Sequence, residues 1–283
     1  MFALILLVAF LAIHVAAHGY VAFVSLDHHV YEGFRNHNPN PNPGAIGFSF
    51  TTPDEGPELD IANPDFVCRQ NAQAPSVYGK VSAGGNVDVQ WTSADLERNP
   101  NGWAHSGPII TYIANCDGDC TTADKTKLRW TKIHESGLIS GPASSQGIWA
   151  TDVMRENMGW VGFTIPASIA PGNYVIRNEL LGLHRSHLME PEYYPGCVAI
   201  EVTGNGTGDL LDKGVIASEL YSTEDVQLYG FDFHNGEREK VWPLPGPTLY
   251  QDTGRGNETT GRTPKYRSRP SRNSTTPGVS VGY

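Results

Sequence analysis

Two histidines have the type and the placement to hold a redox metal. His18 stands directly after the apolar run Met1–Val15 and the small pair Ala16-Ala17, the arrangement of a secretory leader with its cleavage point after residue 17. Removal of residues 1–17 makes His18 the first residue, with a free α-amine beside its own imidazole. The amine and Nδ1 then close a chelate ring on one metal ion, and one further imidazole completes a T of three nitrogens. Such a tetragonal nitrogen set favours Cu(II), one ion per chain, and open positions beside it admit oxygen or peroxide. The second imidazole has to come from a position that the fold brings to the amino terminus. His105, in Trp103-Ala-His105-Ser-Gly-Pro108, leads straight into the β-favouring run Ile109–Ile113 and is held between Gly and Pro. Each residue alone also has a plain reading, as a chance chain end and as an ordinary loop histidine.

The elements that must position these residues are short strands. Residues 18–250 have a single-domain length, and Gly and Pro number 31 and 20 in the chain, which breaks the sequence into brief β-favouring runs. Strands are predicted over Gly19–Leu26, Asn86–Trp91, Ile109–Ile113, Leu128–Ile133, Trp160–Thr164, Gly172–Glu179 and Cys197–Val202. Val87-Asp88-Val89-Gln90-Trp91 alternates apolar with polar, as a strand with one buried face does. The pattern predicts an all-β fold: an antiparallel β-sandwich of the immunoglobulin-like or fibronectin-like kind, with long loops and short helices. The long loops are Glu32–Gly47, Thr51–Ala74 and Arg185–Gly196. Residues 251–283 are Gly, Ser, Thr, Arg and Pro with few apolar side chains, a composition expected to stay disordered. Asn205-Gly-Thr, Asn257-Glu-Thr and Asn273-Ser-Thr are glycan acceptors on a secreted chain.

Charge and cysteines narrow the partners and the compartment. The net charge of −10 hides an asymmetry, because residues 251–283 carry six Lys or Arg and two acids, so the remainder is strongly acidic. An acidic body repels nucleic acid, and a neutral or insoluble partner fits better. No run after the leader holds eighteen uninterrupted apolar residues, and the leader itself is shorter than that, so no membrane span is expected in the mature chain. Secretion permits disulfides, and Cys68, Cys116, Cys120 and Cys197 can pair in three ways. Cys116 and Cys120 flank the turn Asp117-Gly118-Asp119, so a local pair is the simplest choice and leaves Cys68 with Cys197. Four-residue spacing with a lone cysteine on each side does not match a zinc ribbon.

HGYV at the mature start, HSGP, YIANCDGDC, DKTKLRWTKI, GIWATD, PGNYVIRNELLGLH, YYPGCVAIEVTG and PLPGPTLY follow one another in this chain. In that order they resemble fungal lytic polysaccharide monooxygenases of auxiliary activity family nine, formerly glycoside hydrolase family sixty-one, over residues 18 to about 250. The resemblance implies a secreted, monomeric copper enzyme. Such an enzyme oxidatively cleaves cellulose or a related β-1,4-glucan, using molecular oxygen or peroxide. Its electrons would come from an external donor, a small reductant or a cellobiose dehydrogenase-like protein. By motif, His18 and His105 become the copper ligands, Tyr194 the axial tyrosine and His184 the outer histidine near the oxygen species. The family's disulfide pattern agrees with the pairing above.

Three positions depart from the family's pattern. Glu192 stands where glutamine is usual, two residues before the axial tyrosine. Glutamine donates a hydrogen bond, whereas an ionised glutamate only accepts one. Asn178 and Ser106 each replace a histidine. Among substrate contacts, Trp242 lies where the family often has a surface tyrosine and would stack on glucose rings if exposed; Tyr31 and Phe34 are further candidates. Asn36–Pro43 offers no aromatic stack. His28, His29, His37, His134, His187 and His234 carry no metal-binding spacing such as HExxH. Glu190 and Glu192 lie too close on one loop to hold a glycosidase acid pair apart. The rival reading is a non-catalytic secreted protein on the same scaffold, binding copper or glucan.

Overall fold

A computed structural model describes residues 18–35, 43–93, 102–235 and 242–252. Residues 1–17, residues 253–283 with Asn257 and Asn273, His37 and most of Asn36–Pro43 fall outside these residues. Eleven strands and one α-helix are present among the described residues. The strands are β1 (Gly19–Leu26), β2 (His29–Glu32), β3 (Gly79–Ser82), β4 (Asn86–Ser93), β5 (Ile109–Asn115), β6 (Thr131–Ser136), β7 (Leu138–Ser140), β8 (Ile148–Trp149), β9 (Trp160–Thr164), β10 (Gly172–Gly182) and β11 (Glu192–Thr203), and the helix is α1 (Ala150–Glu156). One sheet has the order β2-β1-β4-β9 and the other β3-β11-β10-β5-β6; β7 and β8 form a small ribbon.

The first sheet follows the alternation of its sequence. Along β4, Val87, Val89 and Trp91 are buried while Asp88 and Gln90 are partly exposed. The central strands β5, β10 and β11 of the second sheet do not alternate, because both of their faces are covered. Val21, Val24, Val89, Trp91, Ile113, Ile176, Tyr194 and Val198 fill the space between the sheets. Phe66, Tyr112, Trp130, Trp149, Tyr193 and Tyr221 form a second core beneath the long loops, on the outer face. Neighbours along one strand therefore serve opposite interiors, Tyr193 one and Tyr194 the other. The interior also takes charge: Arg177 and Glu179 on β10 are fully buried and meet in a two-point ion pair at 2.6 and 2.7 Å, closed by the Tyr221 hydroxyl at 2.5 Å.

Two expectations change. β3 runs parallel to β11, so the second sheet is mixed rather than purely antiparallel. The Arg185–Gly196 segment is a loop only in part, since β11 begins at Glu192 and pairs with β10 from Gly182↔Glu192 onward. The Tyr-Tyr-Pro-Gly run hides this strand from a reading of turn residues, and backbone pairing with β10 overrides the local signal. Cys68 is bonded to Cys197 and Cys116 to Cys120.

His134 on β6 lies against Phe163, ring centroids 5.7 Å apart, and its buried Nδ1 has no partner among the described residues. Burial pushes its pKa down to about 4. A depressed histidine favours the fold above its ordinary value of ~6.5, and that contribution is lost as pH falls towards 4. The metal-free chain is expected to lose roughly 2–3 kcal/mol from this group across that window. Denaturant unfolding at pH 7 and pH 4 checks it: His134→Gln should show a flatter decline, and an equal decline in both chains would refute the assignment.

Candidate metal centre

The site gathers at the end of the sandwich where β1 and β11 begin and β10 finishes. His18 lies just before β1, whose first residue Gly19 pairs with Ser93 of β4. A Cβ on Gly19 would stand 2.4 Å from the Thr92 carbonyl and 3.1 Å from Trp103, so only glycine permits this approach. In the full chain the His18 nitrogen is the amide of the Ala17–His18 bond. Its imidazole Nδ1 lies 2.9 Å from the Asp54 carbonyl oxygen, in the turn Pro53–Glu55.

His105 is fixed from behind. The Trp103 indole N–H donates to the His105 carbonyl at 2.6 Å. Ser106 Oγ donates to Asp152 at 2.6 Å, and the Gly107 amide donates to Thr151 Oγ1 at 2.8 Å. Asp152 also accepts from the Trp149 amide at 2.8 Å, so α1 is capped by the same carboxylate that holds the histidine loop. A Cβ on Gly107 would lie 1.9 Å from the Leu181 carbonyl. HSGP and GIWATD are thus two halves of one contact.

The β10–β11 register supplies the remaining groups. Gly182 faces Glu192 and Leu180 faces Tyr194, while His184 follows two residues after β10 ends. The rings of His105 and His184 stack at 4.1 Å with 7° between planes. Glu192 reaches both, with Oε2 3.6 Å from His105 Nε2 and Oε1 3.4 Å from His184 Nε2. The Tyr194 hydroxyl donates to Glu192 Oε2 at 2.8 Å. Trp103 packs edge-on against Tyr194 at 4.6 Å.

Burial sets the protonation of this group. It pushes His105 down to about 3, helped by the neighbouring His184 and His18. Burial likewise pushes His184 down to about 4, with Arg185, His234 and His187 adding to it. The same desolvation raises the Glu192 carboxyl, partly opposed by the Tyr194 hydrogen bond. Burial, then Glu192, holds the Tyr194 phenol well above the usual tyrosine range. Both imidazoles are therefore neutral at pH 7 and free to donate lone pairs, which is the donor state a copper ion requires.

Arg69 is a member of this assembly that the sequence reading misses. It is 1% exposed. Its guanidinium donates to the carbonyls of Gly19 at 2.7 Å, Gly56 at 3.3 Å and Pro195 at 3.0 Å. It also lies over the rings of Phe50 and Tyr194, 4.8 and 5.7 Å from their centroids. One side chain thus fastens the residues next to His18 and Tyr194 to the turn that holds His18. The only signal in the sequence is a cation directly after a disulfide cysteine.

The structure gathers His105, His184, Glu192 and Tyr194, with His18 beside them and turned towards Asp54. It does not gather the expected substrate contacts. Trp242 is 7% exposed, packed edge-on against Trp149 at 5.3 Å and near Phe231 at 6.2 Å, so its faces are spent on the core. Tyr31 lies opposite Val24, toward the far end of β1 from His18, and its hydroxyl accepts from the Lys80 amide. Phe34 is half-buried against Phe50 at 5.3 Å. Asn178 is buried between Trp91, whose indole donates to it at 2.7 Å, and Thr111, to which it donates at 2.8 Å. Asn205 is exposed in the turn after β11. Among the other histidines, His234 Nε2 lies 2.9 Å from the His184 carbonyl, and its ring is 5.3 Å from that of exposed His187.

Comparison with known proteins agrees with this geometry. Residues 18–240 match the family model for Auxiliary Activity family 9 (formerly GH61). The AA9 family lytic polysaccharide monooxygenase A of Malbranchea cinnamomea is 38% identical, over 85% of this chain and 70% of that protein. The AA9 family lytic polysaccharide monooxygenase B of Aspergillus fumigatus is 37% identical, over 83% of this chain and 92% of that one. Among solved structures, the extended catalytic domain of H. jecorina LPMO9A superposes with a TM-score of 0.72 at 31% identity, covering 85% of this chain and 95% of that domain. HiLPMO9B gives 0.71 at 32%, covering 83% and 100%. With its β-sandwich and its histidine-lined end, the chain belongs to Auxiliary Activity family 9, the copper-dependent lytic polysaccharide monooxygenases.

Proposed function

We propose that the mature chain is a secreted, monomeric enzyme that cleaves β-1,4-glucan, above all cellulose. O2 or H2O2 would be the co-substrate, and electrons would come from a small reductant or a cellobiose dehydrogenase-like protein. The observation that carries this reading is the neutral imidazole of His105, braced by Trp103 and Gly107, beside His18 and Tyr194. Residues 1–17 are the leader, residues 18–250 the catalytic domain and residues 251–283 a glycosylated tail.

Copper would be held by the His18 amine and Nδ1 and by His105, with the Tyr194 phenol nearby, and would supply electron transfer and activation of the oxygen co-substrate. His18 Nδ1, which now lies 2.9 Å from the Asp54 carbonyl oxygen, would have to leave that contact to serve as a ligand. The Tyr194 phenol keeps its proton, donated to Glu192, and so stays a weak oxygen donor. His184 sits at the rim, partly exposed, with its carbonyl 2.9 Å from the His234 ring. Leu188 and Met189, 52% and 56% exposed, follow it and offer an aliphatic surface to a polymer that cannot enter a cleft.

The test is the copper-loaded mature chain with reductant and swollen cellulose. Oxidised oligosaccharides are expected, and chelation with EDTA should abolish them. Tight copper binding without products would support the second reading, a non-catalytic copper protein, for which the Gln-to-Glu difference at Glu192 is the motive. Copper-independent reducing ends would mean hydrolysis. Glu192→Gln is expected to keep one copper per chain and to raise peroxide-dependent oxidation by roughly three- to tenfold, because the amide donates where the carboxylate accepts. An unchanged rate and unchanged copper reduction would remove any special role for Glu192.

A further inference from the structure

Three groups at this end of the fold form a set that does not include His18. The ligand atoms of His105, His184 and Glu192 all lie within 4.8 Å of one another. The two carboxylate oxygens of Glu192 are divided between the imidazoles, one at 3.4 Å and one at 3.6 Å. Two imidazoles and a carboxylate are a sufficient protein donor set for a late divalent ion, with solvent completing its shell.

Each donor stands on an element that the fold fixes. Glu192 opens β11 opposite Gly182, where a Cβ would come within 3.2 Å of its Oε2. His105 is pinned by Trp103 and Thr151 through backbone hydrogen bonds. His184 is the least confined, at 30% side-chain exposure. The two rings stack in parallel, and the Nε2 atom of each lies within 3.6 Å of a Glu192 carboxylate oxygen. A glutamine at position 192 would offer only a neutral amide oxygen, so the carboxylate in this chain is what completes the set.

We propose that His105, His184 and Glu192 form a metal site of their own, able to bind one divalent ion such as Zn(II) with no ligand from His18. Occupation of this site and of the amino-terminal site is mutually exclusive, because His105 belongs to both.

Calorimetric titration with Zn(II) tests this on the chain carrying His18→Ala. One Zn(II) per chain is expected, with affinity falling at least ~10-fold when Glu192→Gln or His184→Gln is added, a loss no smaller than that for outer-shell partners of metal sites. Thermal unfolding of each variant without metal identifies any that fails to fold, and the other double variant then decides. No Zn(II) uptake by the His18→Ala chain would overturn the proposal, as would equal affinity in a folded double variant. Cu(II) binding by the unmodified mature chain is scored separately, so failure of the amino-terminal copper reading leaves a distinct result.

Discussion

A mature chain extended by one alanine ahead of His18 is expected to bind Cu(II) at least ~100-fold more weakly than the chain that starts at His18, a loss larger than that for outer-shell changes. The extension turns the His18 amine into an amide, which keeps its N–H proton at neutral pH and whose nitrogen lone pair is delocalised into the carbonyl. The chelate ring is lost with it, and His105 is left with a single imidazole as partner. The fold should not change, since the first strand begins at Gly19 and its pairing to β4 does not involve the amine. Competitive Cu(II) titration and the nitrogen couplings in the electron paramagnetic spectrum measure both halves of the claim. Equal affinity for the two chains would show that the amine is not a ligand, and the copper reading would fall with it.

Arg69→Met is the second large effect, and it separates support from ligation. The methionine fills similar space but cannot donate, so the carbonyls of Gly19, Gly56 and Pro195 lose their partner in a buried setting. An unsatisfied buried group costs about 1–3 kcal/mol, and three of them sharing one donor give roughly 3–5 kcal/mol in all. At ~2–4 °C per kcal/mol for a domain of this size, the midpoint of thermal unfolding should fall by roughly 6–20 °C. Burial already pulls the Arg69 pKa down to about 10, so the group remains charged at neutral pH and its hydrogen bonds are charge-assisted. Arg69→Lys should recover part of the stability, reaching one or two of the three carbonyls. The copper spectrum of the folded Met variant should shift, because Gly19 and Tyr194 lose their common tie. Wild-type stability with an unshifted spectrum would show that Arg69 is incidental.

Part of the scaffold is legible because β4 obeys a simple alternation and its neighbours are β-favouring runs bounded by turns. Gly19–Leu26 and Trp160–Thr164 have the bounds read from the sequence. β10 and β11 were read too short, to Glu179 and from Cys197, because both faces are covered and polar Arg177, Asn178 and Glu179 lie inside. Period-two patterning cannot mark a strand of that kind. His105 could be singled out from its neighbours, since Gly and Pro hem it in before a β run. His184, Glu192 and Tyr194 could not be found by spacing, as their meeting depends on the Gly182↔Glu192 register, which is a tertiary fact. The burial of Trp242 is hidden for the same reason, because whether a tryptophan is wet or dry depends on what folds over it. Arg69 gave no signal of its role, which rests on three carbonyls distant along the chain.

The placement of Tyr193 and Tyr194 in two different interiors makes the last strand intolerant of sliding. A shift of one position would exchange the two phenols, sending the partner of Glu192 into the outer core and leaving the reactive end of the molecule without it. Insertions and deletions between residues 192 and 197 are therefore far more damaging than substitutions there. The loop before this strand, where His187 to Glu190 lie, remains the place where length can vary freely and the reach over a polymer surface can be retuned.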